Sequence, residues 1–380
     1  MIGFELAEEQ RTLQNLAHRF AADVIRPVAA ECDEREEMDW TVFQKAQDLG
    51  LTNFYIPEEY GGGGVLDRVA QAIIAEELSW GCAGIAASLL VTMSPATAIS
   101  MGGTEEQKRK YLAAFANGEC SGAIAMTEPG GGSDAAGIQT TARRLSDGSY
   151  VLNGTKSFIT NAGAAGVILV FATLDKTKGA KGVTAFLVDR GTPGLVLGKK
   201  EKKMGQRAAG SWEIGLEDVV VPARNRLGGE GEGFYLAART FVRFRAVVAA
   251  RSVGIAWAAF EYARDWAKQR QAFGRPIIEH QGVGFKLADM ATRIQAARCL
   301  VWAGADASNR EAADVVEANS MAKLFATDTA MYVTTEAVQI LGSYGYSRES
   351  PVEKWMRDAK GQQILEGTNE IQRWIIARRL

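Results

Sequence analysis

The sequence predicts a mainly α, α+β chain in which a small β region is set between two helical ones. Three observations carry this. Apolar residues recur at helical spacing up to about residue 118, short β-branched runs bounded by turn residues fill 121 to 222, and long helical periodicities return after a glycine-rich stretch at 228 to 233. The expected boundaries are 1–120 for an N-terminal helical domain, 121–229 for the β domain and 230–380 for a C-terminal helical bundle.

Taken in order, Phe4, Leu6, Leu13, Leu16, Ala17 and Phe20 fall on one helical face. Pro57-Glu58-Glu59-Tyr60, leading into the glycines at 61 to 64, reads as a loop. Leu78 to Thr104 carries no charged side chain and is long enough to span a bilayer, but Pro95, several glycines and a scatter of Ser and Thr argue for a buried helix pair. Glu105 to Phe115 restores helical spacing after Gly102-Gly103. Strands are expected at Tyr150-Val151-Leu152, Val167 to Phe171, Val183 to Val188 and the alternating Trp212, Ile214, Leu216. Turns are expected at Asp147-Gly148, Asn153-Gly154, Asp175 and 191–194. Helices then run over about 234–270, 280–308, 312–342 and 351–360, with a last one after Gly367.

Charge and cysteine content narrow the function. Lys and Arg total 43 against 45 Asp and Glu, so no basic excess points to nucleic acid. Cys32, Cys82, Cys120 and Cys299 lack C-x-x-C spacing, and His18 and His280 stand alone, so neither a disulfide framework nor a metal site is expected. The G-x-G-x-x-G and P-loop signatures are absent. Met1 to Gln10 carries acids and no basic leader, which makes a cytoplasmic location the expectation, without a membrane span.

Five segments carry candidate chemistry. In Gln362-Gln363-Ile364-Leu365-Glu366-Gly367-Thr368-Asn369-Glu370, the carboxylate of Glu366 follows an apolar pair, and desolvation there would raise its pKa into the range of a general base. A solvated glutamate beside a helix is the plainer reading of that segment alone. Met126-Thr127-Glu128-Pro129-Gly130-Gly131-Gly132-Ser133-Asp134 offers backbone N–H groups and hydroxyls to a heterocycle or pyrophosphate, or is a surface loop. Phe158-Ile159-Thr160-Asn161 is an ordinary strand end when taken alone. Arg270-Gln271-Ala272-Phe273-Gly274, followed by Gln281, pairs a phosphate-binding side chain with a flat ring, although Arg also suits a helix C-terminus. Gln339-Ile340-Leu341-Gly342-Ser343 permits close backbone approach, and Arg357-Asp358 beyond it reads as a structural ion pair.

Together and in this order, the T-E-P-G-x-G-S-D, F-I-T-N, R-x-x-F-G, Q-I-L-G and E-G-T-x-E-I-Q runs resemble the acyl-CoA dehydrogenase family along essentially the whole chain. The resemblance implies a C-terminal four-helix bundle and an FAD lying between it and the β domain. It implies that Met126, Thr127, Gly132, Ser133, Phe158, Thr160, Thr368 and Glu370 meet the cofactor, Ser133 touching substrate as well. Arg270, Phe273, Gln281, Gln339 and Gly342 match residues that hold the ADP part of FAD in a neighbouring subunit, which implies a homotetramer. Glu366 falls on the catalytic position and would remove the α proton of the thioester while the flavin takes the β hydride. Leu90, Arg245 and Gly367 would contact substrate. Electrons would pass to an electron-transfer flavoprotein; oxygen as acceptor, as in an oxidase, and a catalytically silent scaffold are the alternatives.

Three departures from the family pattern matter. Val242 stands where an aspartate commonly positions CoA, which opens an acyl-carrier-protein substrate as an alternative; Phe158 replaces a tryptophan; and Ser343 replaces a glycine. Because Ala86 to Thr92 includes no Arg or Lys, an apolar short, branched or cyclic acyl group is expected rather than a dicarboxylic one.

Overall fold

The computed structural model describes residues 5–380; Phe4, counted above in the first periodicity, lies outside them. Seven helices build the N-terminal region: α1 (Glu8–Phe20), α2 (Ala29–Arg35), α3 (Trp40–Asp48), α4 (Arg68–Gly81), α5 (Ala83–Leu90), α6 (Met93–Gly102) and α7 (Glu105–Ala116). Local chemistry sets their starts. Asp67 caps α4 by accepting from the N–H groups of Val69 at 2.9 Å and Ala70 at 3.3 Å. Thr104 and Gln107 form a reciprocal capping box on α7. The uncharged stretch 83–102 is apolar enough to cross a membrane, but it is broken into α5 and α6 and is 83% buried inside the protein.

The β region holds β1 (Gly122–Ala125), β2 (Thr141–Arg144), β3 (Tyr150–Thr160), β4 (Val167–Thr173), β5 (Val183–Asp189), β6 (Leu195–Lys200), β7 (Ser211–Val221) and β8 (Arg226–Leu227). The order is β6-β7-β3-β2-β4-β5-β8, with β1 parallel to β4. Strand β4 is buried throughout because its two faces serve two cores. Val167, Leu169 and Phe171 join the helical core, while Ile168 and Val170 join a second core inside the sheet with Tyr150, Leu152, Phe186 and Ile214. Asn153-Gly154 is not a turn. It lies inside β3, where the register with β7 shifts between Leu152 and Gly154 and Gly154 adopts φ +150°.

The C-terminal region comprises α8 (Gly233–Gln269), the small hairpin β9 (Gln271–Ala272) and β10 (Arg275–Pro276), α9 (Gln281–Asn309), α10 (Val315–Leu341), α11 (Ser343–Tyr346), α12 (Pro351–Ile364) and α13 (Asn369–Ala377). Helices α8, α9, α10 and α12 pack as a bundle. The 37-residue α8 also lies against α4. There a Cβ on Gly254 would fall 2.0 Å from the Glu76 carbonyl oxygen, so only glycine lets the two backbones touch. Arg298 of α9 donates from Nε to buried Glu76 at 2.9 Å and fastens the same junction.

Candidate active site

The glycine-rich run leaves β1 and is fixed from beneath by a buried ion pair. Lys156 Nζ lies 2.8 Å from Glu128 Oε1 and donates to the Met126 carbonyl at 3.2 Å. Glu128 also accepts from the N–H groups of Gln139 at 2.6 Å and Thr140 at 2.9 Å. Burial pushes its pKa up, but Lys156 and these donors outweigh that and hold the carboxyl below the usual range. The Ser157 N–H donates to the Thr127 carbonyl at 2.9 Å, which sets Thr127 beside the end of β3. A register shift there gives Phe158 φ +58° and leaves it 60% exposed, next to half-buried Thr160. Gly132 folds back on Thr127, whereas Gly130 and Gly131 have open space where a Cβ would stand. Ser133 is exposed, and the Met126 side chain is buried in the core.

Glu366 occupies the turn between α12 and α13 with φ +53°, followed by Gly367 at +90°. A non-glycine residue held there costs on the order of 1–3 kcal/mol and persists only when its surroundings over-determine it. They do so through Asn369, which accepts from Lys323 Nζ and Thr327 Oγ1, each at 2.9 Å, and donates to Asp328 at 2.6 Å. Thr368 caps α13, and Gln372 Nε2 donates to the Gly367 carbonyl at 2.9 Å. The Glu366 backbone N–H has no acceptor among the described residues. Exposed Glu370 has its carboxyl held below the usual range, first by its own backbone N–H and then by the Thr368 hydroxyl.

Desolvation does not come from the residue before the turn pair, since Ile364 is 58% exposed. Burial pushes the Glu366 pKa up to about 7, against the opposing pull of Arg251, Lys323 and Arg245, although 29% of the side chain still faces open space. Arg251 Nη1 stands 3.9 Å from Glu366 Oε1 and is 4% exposed. Burial lowers Lys323 to about 8 and Arg245 to about 10, in both cases against the attraction of Glu366.

One loop joins these two halves. Between β6 and β7, Gln206 accepts from Arg251 Nη2 at 3.0 Å and donates to the Asp358 carbonyl at 3.2 Å. A few residues on, the Gly210 carbonyl accepts from the Asn161 N–H at 2.9 Å and Ser211 Oγ lies 3.4 Å from Thr160 Oγ1. Asn161 and Ser88 of α5 exchange hydrogen bonds at 3.2 Å, which brings α5 to the same place. The β3 end, α5 and the helices that flank the Glu366 turn are therefore linked through this loop.

Family models for acyl-CoA dehydrogenases match the chain in three pieces, the N-terminal domain at residues 7–119, the middle domain at 123–219 and the C-terminal domain at 231–380. The chain belongs to the acyl-CoA dehydrogenase family. It is 46% identical to the short-chain-specific acyl-CoA dehydrogenase of Megasphaera elsdenii, with 97% of each chain covered. Butyryl-CoA dehydrogenase of the same organism has the same fold, with a TM-score of 0.96 at 44% identity over 100% of this chain and 99% of that one. A structure of the electron transferring flavoprotein of Acidaminococcus fermentans includes a chain that matches equally well, at TM-score 0.96, 44% identity and the same coverage. The protein is thus an oxidoreductase of the acyl-CoA dehydrogenase type.

Within this dehydrogenase fold the remaining expected residues divide into two places. Arg270, Phe273, Gln281, Gln339 and Gly342 are all exposed, at the β9–β10 hairpin, the start of α9 and the end of α10. Phe273 is 96% exposed at φ +50°, and nothing lies near a Cβ on Gly274, Gly282 or Gly342. Leu90 is fully buried. Arg245, 7% exposed, donates to Ser320 Oγ at 2.9 Å and lines a groove of about 940 Å³ with Arg239, Val242, Arg243, Arg378 and Glu311.

Arg357 and Asp358 do not pair with each other, because neighbours in a helix point apart. Arg357 bonds Asp33 and Glu353, each at 2.7 Å, and Asp358 bonds Lys354 at 2.6 Å. Sequence reasoning missed Gln206, Arg251, Lys323 and Asn369. The signal for Arg251 was one charge inside the apolar run Val247-Val248-Ala249-Ala250-Arg251-Ser252-Val253. Ala86 to Thr92 has no cation, as expected, but α8 and α10 bring Arg245, Arg251 and Lys323 to Glu366.

Proposed function

We propose that this dehydrogenase oxidises a short acyl-CoA between its α and β carbons, with Glu366 as base and FAD as cofactor, in a cytoplasmic homotetramer that passes electrons to an electron-transferring flavoprotein. The observation that carries the reading is the Glu366 carboxylate, raised to about 7 in a strained turn and joined through one loop to the Phe158–Thr160 strand end.

The residues fit FAD. A flat heterocycle suits the open face of Phe158, the hydroxyls of Thr127, Ser133 and Thr160, and the unobstructed backbone of Gly130 and Gly131. Phe273, Arg270, Gln281 and Gln339 form an unpacked patch that suits the ADP portion bound by a second copy. Bound FAD supplies the acceptor for the β hydride, which no side chain can provide.

The chain supplies the rest. Deprotonated Glu366 takes the α proton onto a carboxylate oxygen, and its pKa near neutrality lets it do so and later release that proton. The free Glu366 N–H is available to the thioester oxygen as negative charge gathers there. The arginine-lined groove that ends at Arg245 suits the phosphate-bearing arm of the thioester. Val242 in that groove favours, as a second reading, an arm carried by an acyl-carrier protein.

Anaerobic titration of the yellow holoenzyme with butyryl-CoA tests the reading. Bleaching of the flavin band, slowed by about 10²- to 10⁴-fold in Glu366→Gln, is the expected result. A colourless protein, or bleaching unaffected by the substitution, defeats it.

A further inference from the structure

Arg251 is placed where a helical core has no ordinary use for a guanidinium. Its neighbours on α8, Ala249, Ala250 and Val253, are all fully buried or nearly so. Of its five donor positions, Nη2 reaches Gln206, Nη1 stops 3.9 Å from Glu366, beyond hydrogen-bond range, and Nε has no partner. The Arg245 Nε is likewise buried and unpartnered. A buried charge left this way is costly unless an anion meets it.

The surrounding charges do not supply that anion. Asp358 attracts Arg251 but is matched by Lys354 at 2.6 Å, Asp328 and Glu370 act on Lys323 rather than on Arg251, and α5 carries no ionisable side chain. Glu366 is shared among Arg251, Arg245 and Lys323, so three buried cations stand around one carboxylate. In the proposed reaction Glu366 takes up a proton, and the three cations then lose their only shared counter-charge. A ligand with its own negative charge close to the β carbon would restore the balance.

We propose that Arg251 reads a carboxylate at the far end of the acyl group, so that the substrate is the monothioester of a short dicarboxylic acid. This deepens, and rests on, the acyl-CoA dehydrogenase reading given above. Arg251 is then a specificity residue. The α proton still goes to Glu366 and the β hydride still leaves with its electron pair for the cofactor; the distal carboxylate is unchanged by the step. The short reach between Arg251 and Glu366 restricts the acyl group to a short chain.

Two measurements test this. The first compares kcat/KM of the wild-type holoenzyme for butyryl-, succinyl- and glutaryl-CoA with an artificial electron acceptor. The second measures binding of the same thioesters by calorimetry in Glu366→Gln holoenzyme, with and without Arg251→Gln, so that turnover does not intervene. The expected result is a preference of at least about tenfold for succinyl- or glutaryl-CoA, and a ratio of dicarboxylyl to butyryl affinity that falls by about 30-fold or more when Arg251 is replaced. Arg251→Lys should restore part of that ratio.

Preference for butyryl-CoA in the wild type, or equal weakening of all three thioesters by Arg251→Gln, overturns the proposal. The wild-type comparison stands even if the variant fails to fold. A holoenzyme that oxidises butyryl-CoA and ignores both dicarboxylyl thioesters defeats this inference alone, whereas one that oxidises no thioester defeats the underlying reading too.

Discussion

Gln206 accepts a hydrogen bond from Arg251 Nη2 at 3.0 Å, while Nη1 of the same guanidinium stops 3.9 Å from Glu366. Replacing Gln206 with Ala removes the competing acceptor and lets Arg251 pair directly with the carboxylate. The Glu366 pKa should then fall, and the acidic limb of the kcat/KM profile should move below pH 7. Loss of a hydrogen bond to a charged group also predicts about 1.5–3 kcal/mol of lost stability, read by chemical denaturation.

In the unaltered protein the same profile should rise through about pH 7, because only the deprotonated Glu366 accepts the α proton. The sign for stability is opposite. The folded pKa lies above the unfolded one, so between roughly pH 4.5 and 7 the native state binds more protons, and stability falls as pH rises. The loss accumulates to on the order of 3 kcal/mol. Glu366→Gln should abolish that slope in denaturation curves taken across this range.

Lys156→Met leaves Glu128 buried without its cation. A cost of about 3–5 kcal/mol is expected. Since the pair pins the glycine loop to β3, the flavin-to-protein ratio of the purified variant should fall along with its melting temperature.

Gly367→Ala should slow turnover more than it weakens cofactor binding. Its φ of +90° disfavours a side chain, and the new Cβ would sit 2.7 Å from the Gln372 amide nitrogen that bonds the Gly367 carbonyl. A penalty of about 1–3 kcal/mol at the turn would displace Glu366 and lower kcat with flavin content retained.

The Phe273 ring is 96% exposed and meets the His280 ring edge-on at 5.8 Å, so Phe273→Ala should change single-chain stability by no more than about 0.5 kcal/mol. If the ring serves a second copy, size-exclusion chromatography and flavin retention should both change. An intact, fully loaded oligomer would remove Phe273 from the cofactor site.

Periodicity made the helices of the bundle legible, with α8, α9, α10 and α12 falling where the apolar spacing put them. The short strands β1, β2, β6 and β8 escaped notice because β1 is only Gly-Ala-Ile-Ala, β2 has two exposed arginines, β6 is largely exposed and β8 has two residues. Glu366 was legible as a carboxylate between an apolar pair and a glycine turn, yet of that pair Leu365 packs against the core and Ile364 is 58% exposed. The cations that face Glu366, Arg245 and Arg251 of α8 and Lys323 of α10, each stand more than forty positions away in sequence. The partners of a buried charge are set by packing, which periodicity in one segment does not encode.

Arg239, which lines the groove, and Arg251, which adjoins the base, stand on a single unbroken helix. Twelve residues of α-helix fix the axial distance between them at about 18 Å. That span acts as a ruler cut in steps of one residue. Surface loops can lengthen, shorten or drift over generations without changing the calibration, whereas a single inserted residue in α8 would swing one end of the ruler by roughly 100° relative to the other.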